Sequence, residues 1–403
     1  MKQSSSDIIL VLNAGSSSIK FAVFAVDAIP SAGNLLCDGQ MSGIGHAIHF
    51  HAVDGDHRTL VNSYLDEGVD YDAAINRLLK WLIPHFAHHR LLGVGHRVVH
   101  GGPRYWLPMR IDTAVLAEMR ALIPLAPLHQ PHHILAIETL QKQNPDLPQV
   151  ACFDTAFHHT NSALSTQYAL PRTLTESGVR RYGFHGLSYE YIADAMVGVL
   201  GPELAHGRVV VAHLGAGASM CAMQDRKSVA STMGFTALDG LPMSRRSGSL
   251  DPGVVLYLMQ QRQMSADQVA QLLYNECGLF GVSGISDDMQ VLLASADARA
   301  REAIDLFVYR INRELGSLVA ALGGLDALIF TAGIGEHAAS VRRQVIEASA
   351  WLGLELDTHA NDINANRLSP AHARTSAWMI PTNEDLIIAQ HTRQILLAKE
   401  NHD

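Results

Sequence analysis

Apolar residues along the chain fall into short unbroken runs and into longer stretches with helical spacing. The first run, residues 8–12, reads IILVL. It precedes a polar segment rich in glycine and serine, residues 13–18, and a second run, IKFAVF, at 19–24. Short runs with β-branched and aromatic residues predict strands. We therefore expect a hairpin whose tip is rich in glycine and serine.

The same layout returns about halfway along the chain. A run at 209–214 leads into the small-residue turn Gly215–Ser219, and residues 220–223 continue outward as a strand. Two strand–turn–strand units indicate a duplicated architecture, in which both hairpin tips face one bound phosphate chain across a cleft. The alternative is two unrelated hairpins that arose by chance.

Between and after these hairpins the pattern predicts helices, short strands and loops, with a domain crossover near Asp154. This alternation is typical of an α/β protein. The predicted helices are 71–82, 113–123, 251–260, 266–274, 300–321, 338–348 and 385–399. Residues 327–330 and 378–380 are predicted as strands, and residues 331–336 and 381–384 as loops.

Composition narrows the class of protein. The 403 residues suffice for two domains, and 48% of them are hydrophobic. The net charge of −9 argues against a nucleic-acid partner and against an anionic membrane surface. The four cysteines form no CxxC pair, and the N-terminus enters a strand without a signal-peptide pattern. We expect reduced thiols and a cytoplasmic protein.

Two glycine-containing segments suit phosphate or nucleotide binding. The first hairpin tip offers backbone N–H groups, three serine hydroxyls and Lys20, yet it is not a Walker A loop because Lys20 lies inside a strand. A plain tight hairpin is the alternative. Residues 333–336, GIGE, would let an adenosine approach the backbone closely, although an ordinary strand-to-helix turn would read the same.

Charged residues in glycine-rich loops suggest anion chemistry. Arg97 lies in GHRVVHGG, and Arg245 and Arg246 lie in a loop near Gly248. Guanidinium groups match carboxylate and phosphate oxygens, although surface salt bridges would also explain them. Asp154 at a strand end can order a nucleophile, and His185 between glycines can neutralise a migrating phosphoryl group. The alternative for Asp154 is helix capping, and the alternative for His185 is an ordinary exposed side chain.

Together these motifs strongly resemble the acetate/propionate kinase family, and they occur in the same order over nearly the whole chain. The matching segments are 12–20, 95–102, 153–158, 182–186, 330–336 and 380–384. The resemblance implies duplicated actin-like (ribonuclease H-like) domains with mixed sheets flanked by helices and an active-site cleft between them. It implies domains at 1–154, completed by the helix 385–403, and at 155–384, the latter binding nucleotide and forming a homodimer.

The resemblance also implies roles for individual residues in direct transfer of the ATP γ-phosphoryl group to a carboxylate. The catalytic residues would be Arg97, Asp154, His185 and Arg246, with His129 nearby. Mg²⁺, or Mn²⁺ as an alternative, would be placed by Asn13 and Glu384. ATP or ADP would be bound by Ser16, Ser18, Lys20, His213, Gly215, Gly217, Asp288, Gly333 and Gly335. The substrate would be bound by Arg97, Val99, Leu128, Phe184 and Ala237.

The sequence departs from the family pattern at several positions. Ala237 stands where the family usually has proline, and Ala216, Ser249, Gln290 and His337 replace an asparagine, an acid, an arginine and an asparagine. These changes bear on nucleotide choice and rate, but the main charged set is intact.

We therefore expect an acetate kinase that acts on ATP and a small carboxylate. One alternative is a propionate or butyrate kinase, since one methylene in an apolar pocket changes affinity by only about 1–3 kcal/mol. The other is a nucleotide-binding regulator on the same fold with weak or no transfer activity.

Overall fold

The computed structural model describes residues 7–15, 17–26, 28–65 and 68–398. The chain divides into two compact units by its internal contacts. Unit 1 contains the residues up to Ala156 together with those from Asn383 onward, and unit 2 is Phe157–Thr382. The chain thus leaves unit 1 after Ala156 and returns to it at Asn383.

The strands occur singly or in groups that are separated by helices. They are β1 Asp7–Ala14, β2 Ser18–Ala25, β3 Leu35–Ser42, β4 His49–Asp54, β5 Thr59–Tyr64, β6 Arg90–Val98, β7 Met109–Arg110, β8 Gln149–Phe153, β9 Arg208–Leu214, β10 Ala218–Gln224, β11 Lys227–Ser231, β12 Ala327–Thr331 and β13 Ser376–Met379.

Both predicted hairpins are present, and in each unit the hairpin supplies the first two strands of the sheet in chain order. In unit 1 the strand order is β5-β4-β3-β2-β1-β6-β8-β7, and in unit 2 it is β11-β10-β9-β12-β13. The order β3-β2-β1-β6-β8 repeats the order of the second sheet. The directions repeat as well, because the first strand of each hairpin pairs antiparallel with the second and parallel with a later strand. This shared topology confirms the predicted duplication.

The seven predicted helices are present to within a few residues at their ends, and the described residues form nine further helices that were not predicted. They are α1 Tyr71–His85, α2 Thr113–Ala121, α3 Gln130–Gln143, α4 Ala163–Thr166, α5 Arg172–Glu176, α6 Gly186–Leu200, α7 Pro202–Ala205, α8 Pro252–Gln260, α9 Ala266–Asn275, α10 Gly278–Ser283, α11 Met289–Ala294, α12 Ala298–Leu322, α13 Ala332–His337, α14 Ala339–Ala348, α15 Thr358–Asp362 and α16 Glu384–Leu397. Within the described part of the chain, none of them is long and apolar enough to span a membrane.

One local prediction was wrong. Residues 331–336 were expected to form a loop, but Ala332–His337 is a short helix, α13. Glycines at 333 and 335 disfavour a helix in isolation. Two side chains compensate, because Glu336 accepts a hydrogen bond from the Ala332 N–H at 2.8 Å and Arg342 donates to the carbonyl oxygens of Gly335 and Glu336.

The closing helix α16 packs directly on the parallel part of the first sheet. Its side chains lie over two glycines, since a Cβ atom built on Gly95 would lie 2.2 Å from Thr392 Oγ1 and one built on Gly93 would lie 2.4 Å from Leu396 Cδ1. Only glycine permits this approach. The helix thereby covers one face of β1 and β6 and places its own N-terminus in unit 1.

Each unit has its own apolar core. In unit 1, apolar residues of β1–β4 pack with α1, and β8 packs with α2 and α3 on a second cluster. In unit 2, α6 packs on β9 and β12. Cys37, Cys152 and Cys221 are buried and are not in disulfides, and burial raises the pKa of Cys37 and Cys221 to about 12. These sulfur atoms behave as core groups.

Several buried histidines make the folded protein sensitive to acid. Burial lowers the pKa of His96, His100 and His158 to about 4, whereas an unfolded chain titrates near 6.5. Below pH 6.5 the unfolded state therefore binds protons that the folded state does not. We expect the free energy of unfolding to fall as pH drops from about 6.5 towards 4, by about 2 kcal/mol for each such histidine at pH 5.

Urea unfolding between pH 7.5 and 5 measures this slope, and His96→Gln, which stays neutral, should flatten it. A slope that is identical in His96→Gln and in the unmodified protein would contradict the assignment to buried imidazoles.

Candidate active site

The tip of the first hairpin places Asn13 opposite Lys20. These two residues pair across β1 and β2, and the turn between them is closed by the Gly15 N–H, which donates to the Ser18 carbonyl oxygen at 2.8 Å. The Ser17 carbonyl oxygen accepts from the N–H groups of residues 43 and 44, so β3 supports the tip. Ser16 lies outside the described residues.

Arg97 is the centre of a charged cluster in unit 1. Its Nε and Nη2 donate to the carboxylate of Asp154, with Nη2–Oδ2 at 2.7 Å and Nε 3.1 Å from both oxygens. Nε lies 3.7 Å from Glu384 Oε2, and Nη1 lies 3.5 Å from Asn13 Oδ1. Four predicted site residues thus meet at one guanidinium. Burial lowers the pKa of Arg97, but the two carboxylates outweigh it and raise the pKa above its ordinary value.

The N-terminus of α16 brings two acidic residues to this cluster. Asn383 caps the helix by accepting from the Leu386 N–H, and Glu384 and Asp385 form its first turn. Burial, with a smaller contribution from the neighbouring Glu384 carboxylate, raises the pKa of Asp385 to about 6. Asp385 lies next to the charged cluster and was not predicted from the sequence. The available signal was an acidic residue directly after Glu384.

The predicted substrate residues of unit 1 differ in exposure. Val99 is buried and its N–H donates to His133 Nδ1 at 3.1 Å, whereas Leu128 is 42% exposed. His129 is the N-cap residue of α3. Burial holds the pKa of His133 well below 6.5, and the positive charge of Arg97 adds to that effect. His133 is therefore a neutral ring that fixes the backbone at Val99.

In unit 2, His185 begins α6 in a left-handed conformation, with φ of 57°. This conformation is costly for a non-glycine residue and is often found at functional sites. Gly183 precedes it, and any Cβ there would lie 2.5 Å from the ring of His158. His185 Nδ1 lies 2.8 Å from Ser219 Oγ, which in turn lies 2.5 Å from the hydroxyl of Tyr189.

A second histidine stacks on this ring. The centroids of His185 and His213 are 4.2 Å apart, at an interplanar angle of 18°. His213 Nδ1 lies 2.8 Å from Ser188 Oγ, and Ser188 lies 2.9 Å from Thr382 Oγ1. The Thr382 N–H donates to Glu336, the residue that also caps α13. A continuous polar chain therefore links the imidazole pair to the third glycine segment.

Arg246 lies in a loop that α10 holds in place. The N–H groups of Cys277, Leu279 and Phe280 donate to carbonyl oxygens of residues 243–245 at 2.9–3.0 Å. Arg246 Nη1 donates to the Ala237 carbonyl oxygen at 3.1 Å. A Cβ built on Gly217 would lie 3.2 Å from His185 Nε2 and 3.9 Å from Arg246 Nη1. The second glycine turn thus lies against both predicted catalytic groups of this unit.

A cavity of about 490 Å³ adjoins the same turn. Its size is in the range of small-molecule sites. Of the predicted nucleotide residues, Gly215, Asp288 and Gly333 line it, and Gly335 is buried where α13 packs on β12. The whole lining is Gly215, Ala216, Ser244, Asp287, Asp288, Met289, Gln290, Leu293, Gly333, Ile334, His337 and Ala338.

Three of the five departures from the family pattern line this cavity. Ala216, Gln290 and His337 line it, whereas Ser249 donates to Asp239 at 2.7 Å and is not among the lining residues. The lining combines the apolar side chains of Met289, Leu293 and Ile334 with hydrogen-bonding groups. These three departures therefore change the wall of the cavity and leave the charged cluster of unit 1 intact.

Arg342 supports the cavity from behind and was not predicted. It is fully buried on α14, and besides the two carbonyls of α13 it donates to the side chain and carbonyl of Asn361 and to the side chain of Asn364. Burial lowers its pKa from the ordinary arginine value. The side chain of Arg342 thus ties α13 to α15 and to the segment that follows it.

Comparison with known proteins agrees with this geometry. The sequence profile of the Acetokinase family matches residues 8–390. An acetate kinase of Rhodopseudomonas palustris is 59% identical over 388 residues, which cover 96% of this chain and 98% of that protein. A propionate kinase structure from Francisella tularensis has a TM-score of 0.88 at 35% identity, covering 96% of this chain and 98% of that one. An acetate kinase structure from Porphyromonas gingivalis has a TM-score of 0.85 at 31% identity, covering 97% and 100%. The chain therefore belongs to the acetokinase family.

Proposed function

We propose that this protein is an acetate kinase, which transfers the γ-phosphoryl group of ATP to acetate. The observation that carries the proposal is the 59% identity, over nearly the whole chain, to a protein named acetate kinase. In the reaction a carboxylate oxygen forms a bond to the γ-phosphorus while the bond from phosphorus to the β,γ-bridging oxygen breaks. ADP leaves with that bridging oxygen, and acetyl phosphate is formed.

In this proposal the cluster of unit 1 binds and orients the acid. Arg97 presents a guanidinium that matches a carboxylate, and Asp154 orients the nucleophile through Arg97 rather than as a base. The fork of hydrogen bonds between these two side chains supports that role. Phosphoryl transfer to a carboxylate needs no proton removal, so positioning is the main requirement. Val99, Leu128, Phe184 and Ala237 are the proposed apolar wall.

The imidazole and guanidinium of unit 2 stabilise the transferring group in this proposal. Charge spreads over the equatorial oxygens of the phosphoryl group in the transition state, and donors placed beforehand lower the barrier. His185 Nε2 and Arg246 Nη1 both lie within 4 Å of the position that a Cβ on Gly217 would occupy, which supports an anion contact with both groups there. Ser18 and Lys20 of the first hairpin, with Ser16, are the proposed phosphate contacts of unit 1.

Asn13 and Glu384 fit Mg²⁺ as residues that would hold it. Mg²⁺ prefers oxygen ligands and is usually bound by one or two carboxylates together with phosphate oxygens and water. An amide oxygen and a carboxylate meet that need, and both lie near Arg97. The described residues contain no cluster of three or more acidic, histidine or cysteine side chains suited to a metal. The ion would neutralise phosphate charge.

The cavity in unit 2 is the proposed site of the adenosine. Its size and mixed lining support a nucleoside, with the apolar groups against the base and Asp288 at the edge near Gly333. Asp288 also caps α11, since it accepts from the Gln290 N–H at 2.8 Å. Gly217 and His213 would contact phosphate beside this cavity.

A hydroxylamine trap tests the proposed function. The protein is incubated with ATP, Mg²⁺ and acetate, propionate or butyrate in turn, and acyl hydroxamate is measured over a range of acid concentrations. We expect the highest kcat/KM with acetate. A higher kcat/KM with propionate would favour the second candidate, which the 0.88 TM-score to a propionate kinase supports.

A nucleotide-binding regulator without transfer activity is the third candidate. The changed residues Ala216 and Gln290 in the cavity are the observation that favours it. Measurable ATP binding by calorimetry without hydroxamate from any of the three acids would establish this alternative and overturn the kinase. Cytoplasmic location stays a prediction.

We also propose that the protein is a homodimer through α8. This helix, Pro252–Gln260, contains no buried residue although most of its side chains are apolar, including Leu256, Tyr257 and Met259. Apolar side chains all around a helix are typical of a buried helix. The helix carries no charged residue, so its face can meet a copy of itself without repulsion.

Leu256→Glu should convert the dimer to a monomer. The side chain of Leu256 is 53% exposed, so the change disturbs no core, but in the proposed interface it would bury two like charges. Light scattering coupled to size exclusion measures the mass, and Tyr309→Glu, at an exposed position on α12, is the control for a surface charge. A monomeric unmodified protein, or a dimeric Leu256→Glu variant, would contradict the proposal.

A further inference from the structure

Three buried histidines of unit 2 each lie beside a serine hydroxyl. The distance from Nδ1 to Oγ is 2.8 Å in the pairs His185–Ser219, His213–Ser188 and His158–Ser228. A hydroxyl can donate or accept, so one contact alone does not decide which ring nitrogen carries the proton. In each pair, the other hydrogen-bond partners of the hydroxyl and of the ring decide which ring nitrogen is protonated.

His158 is the case in which the tautomer follows directly. Its Nε2 lies 2.9 Å from the carbonyl oxygen of Phe184, which can only accept. Nε2 therefore carries the proton, and Nδ1 accepts from Ser228. Burial lowers the pKa of His158 to about 4, so the ring is neutral at pH 7. The Phe184 carbonyl oxygen thus fixes the tautomer of His158, and Ser228 is the donor to its Nδ1.

His185 has the same contact between Nδ1 and a serine hydroxyl, and that serine in turn contacts a second hydroxyl. Ser219 is fully buried on β10, and its Oγ lies 2.5 Å from the hydroxyl of the equally buried Tyr189. If the tyrosine donates to the serine, the single hydroxyl proton of the serine is left to donate to Nδ1 of His185. The phenol is the more acidic hydroxyl and therefore the better donor at the start of the chain.

The other ring nitrogen of His185 faces the second glycine turn. A Cβ on Gly217 would lie 3.2 Å from His185 Nε2, and one on Gly215 would lie 3.9 Å from His213 Nε2. Because neither glycine has a side chain, the turn keeps space for a small group beside Nε2 of each ring. With the proton on Nε2 the ring would donate to an anion there, and with the proton on Nδ1 it would present a lone pair and repel it.

We propose that Ser219, supported by the Tyr189 hydroxyl, is a positioning residue that holds His185 as the Nε2–H tautomer. The inference rests on the proposed function, because in that function the transferring phosphoryl group is the anion to which His185 Nε2–H donates. It deepens the function by naming the residue that sets the tautomer. The stacked ring of His213, 4.2 Å away, makes simultaneous protonation of both rings costly. A neutral ring with a fixed tautomer supplies a donor without that cost.

The test combines kinetics with a direct readout of the tautomer. Ser219→Ala and Tyr189→Phe remove the two hydroxyls, Ser219→Thr restores the nearer one, and Ser228→Ala is the matched control at the pair outside the glycine turn. Each protein is labelled with ¹⁵N-histidine, and long-range ¹⁵N–¹H spectra are recorded. The His185 signals are assigned by comparison with His185→Gln. Hydroxamate formation gives kcat and both KM values.

We expect His185 in the unmodified protein to show a protonated Nε2 and an unprotonated Nδ1. In Ser219→Ala the two tautomers should mix, and kcat should fall about 10- to 100-fold while the KM for ATP changes less than about threefold. Tyr189→Phe should give a smaller loss in the same direction. Ser219→Thr should recover most of kcat, and Ser228→Ala should keep kcat within about twofold.

Several results would overturn the inference. One is an Nδ1–H tautomer in the unmodified protein, and another is an unchanged tautomer and kcat in Ser219→Ala. If that variant does not fold, Tyr189→Phe decides, and an unchanged kcat and tautomer there overturn the inference as well. If the unmodified protein forms no acyl phosphate but Ser219 still controls the tautomer, the proposed function fails while the positioning role stands.

Discussion

Arg246→Ala should lower kcat by about 10³-fold while the protein stays folded, because the transferring phosphoryl group would lose a charged donor. The side chain is held by the Ala237 carbonyl oxygen and lies beside Gly217, so it is already placed before any anion arrives. Its loss should therefore reduce turnover far more than it reduces binding of ATP. Hydroxamate kinetics with saturating acetate and ATP measure the change.

Arg226→Ala is the matched control for this prediction. Arg226 also donates to an alanine carbonyl oxygen, that of Ala193 at 2.7 Å, and it lies at the opposite end of β10 from Gly217. We expect its kcat to stay within about twofold of the unmodified protein. Equal kcat values for the two variants would remove Arg246 from the proposed mechanism.

Asp154→Asn should reduce both turnover and stability. The carboxylate is 1% exposed and forks onto Arg97, so the amide leaves a guanidinium that has lost its nearest counter-charge. Loss of one partner of a buried pair typically costs about 3 kcal/mol of unfolding free energy. We also expect kcat to fall by about 10²-fold or more, since Arg97 would no longer be fixed for the substrate carboxylate.

The pair of Arg208 and Asp326 supplies the comparison. It has the same forked geometry, with Nη2–Oδ1 at 2.7 Å, but the Asp326 side chain is 32% exposed. Asp326→Asn should cost less than about 1 kcal/mol and leave kcat unchanged. Urea unfolding and hydroxamate kinetics on both variants measure the difference. An Asp154→Asn protein as stable and active as Asp326→Asn would refute the proposed role of the unit 1 cluster.

The hairpins, most of the long helices and the duplicated topology could be predicted because their signals are local, although α3 and α6 were missed. A run of apolar residues beside a glycine turn specifies a strand pair over about fifteen residues, and helical spacing works over similar lengths. The α13 helix could not be predicted in this way. It forms because Glu336 and Arg342 satisfy its backbone ends, and the partners of Arg342 on α15 lie well beyond the local window.

The same distinction between local and long-range signals applies to the residues of the site. Arg97, Asp154 and Glu384 could be found because each lies in a distinctive segment, but their meeting at one guanidinium depends on sheet order. Ser219 and Ser188 carried no signal, since serines in a turn and in a helix are ordinary. Their importance appears only when β9, β10 and α6 bring them to the two imidazoles.

The route of the chain through unit 1 has a consequence for synthesis on the ribosome. Helix α16 covers β1 and β6 over Gly93 and Gly95, yet it is translated only after the whole of Phe157–Thr382. Until then the first sheet has an open apolar face, and Arg97 lacks Glu384. Unit 2 is contiguous in sequence and can form its core earlier. The nascent protein therefore completes its first domain last, and its carboxylate cluster is assembled in the same step.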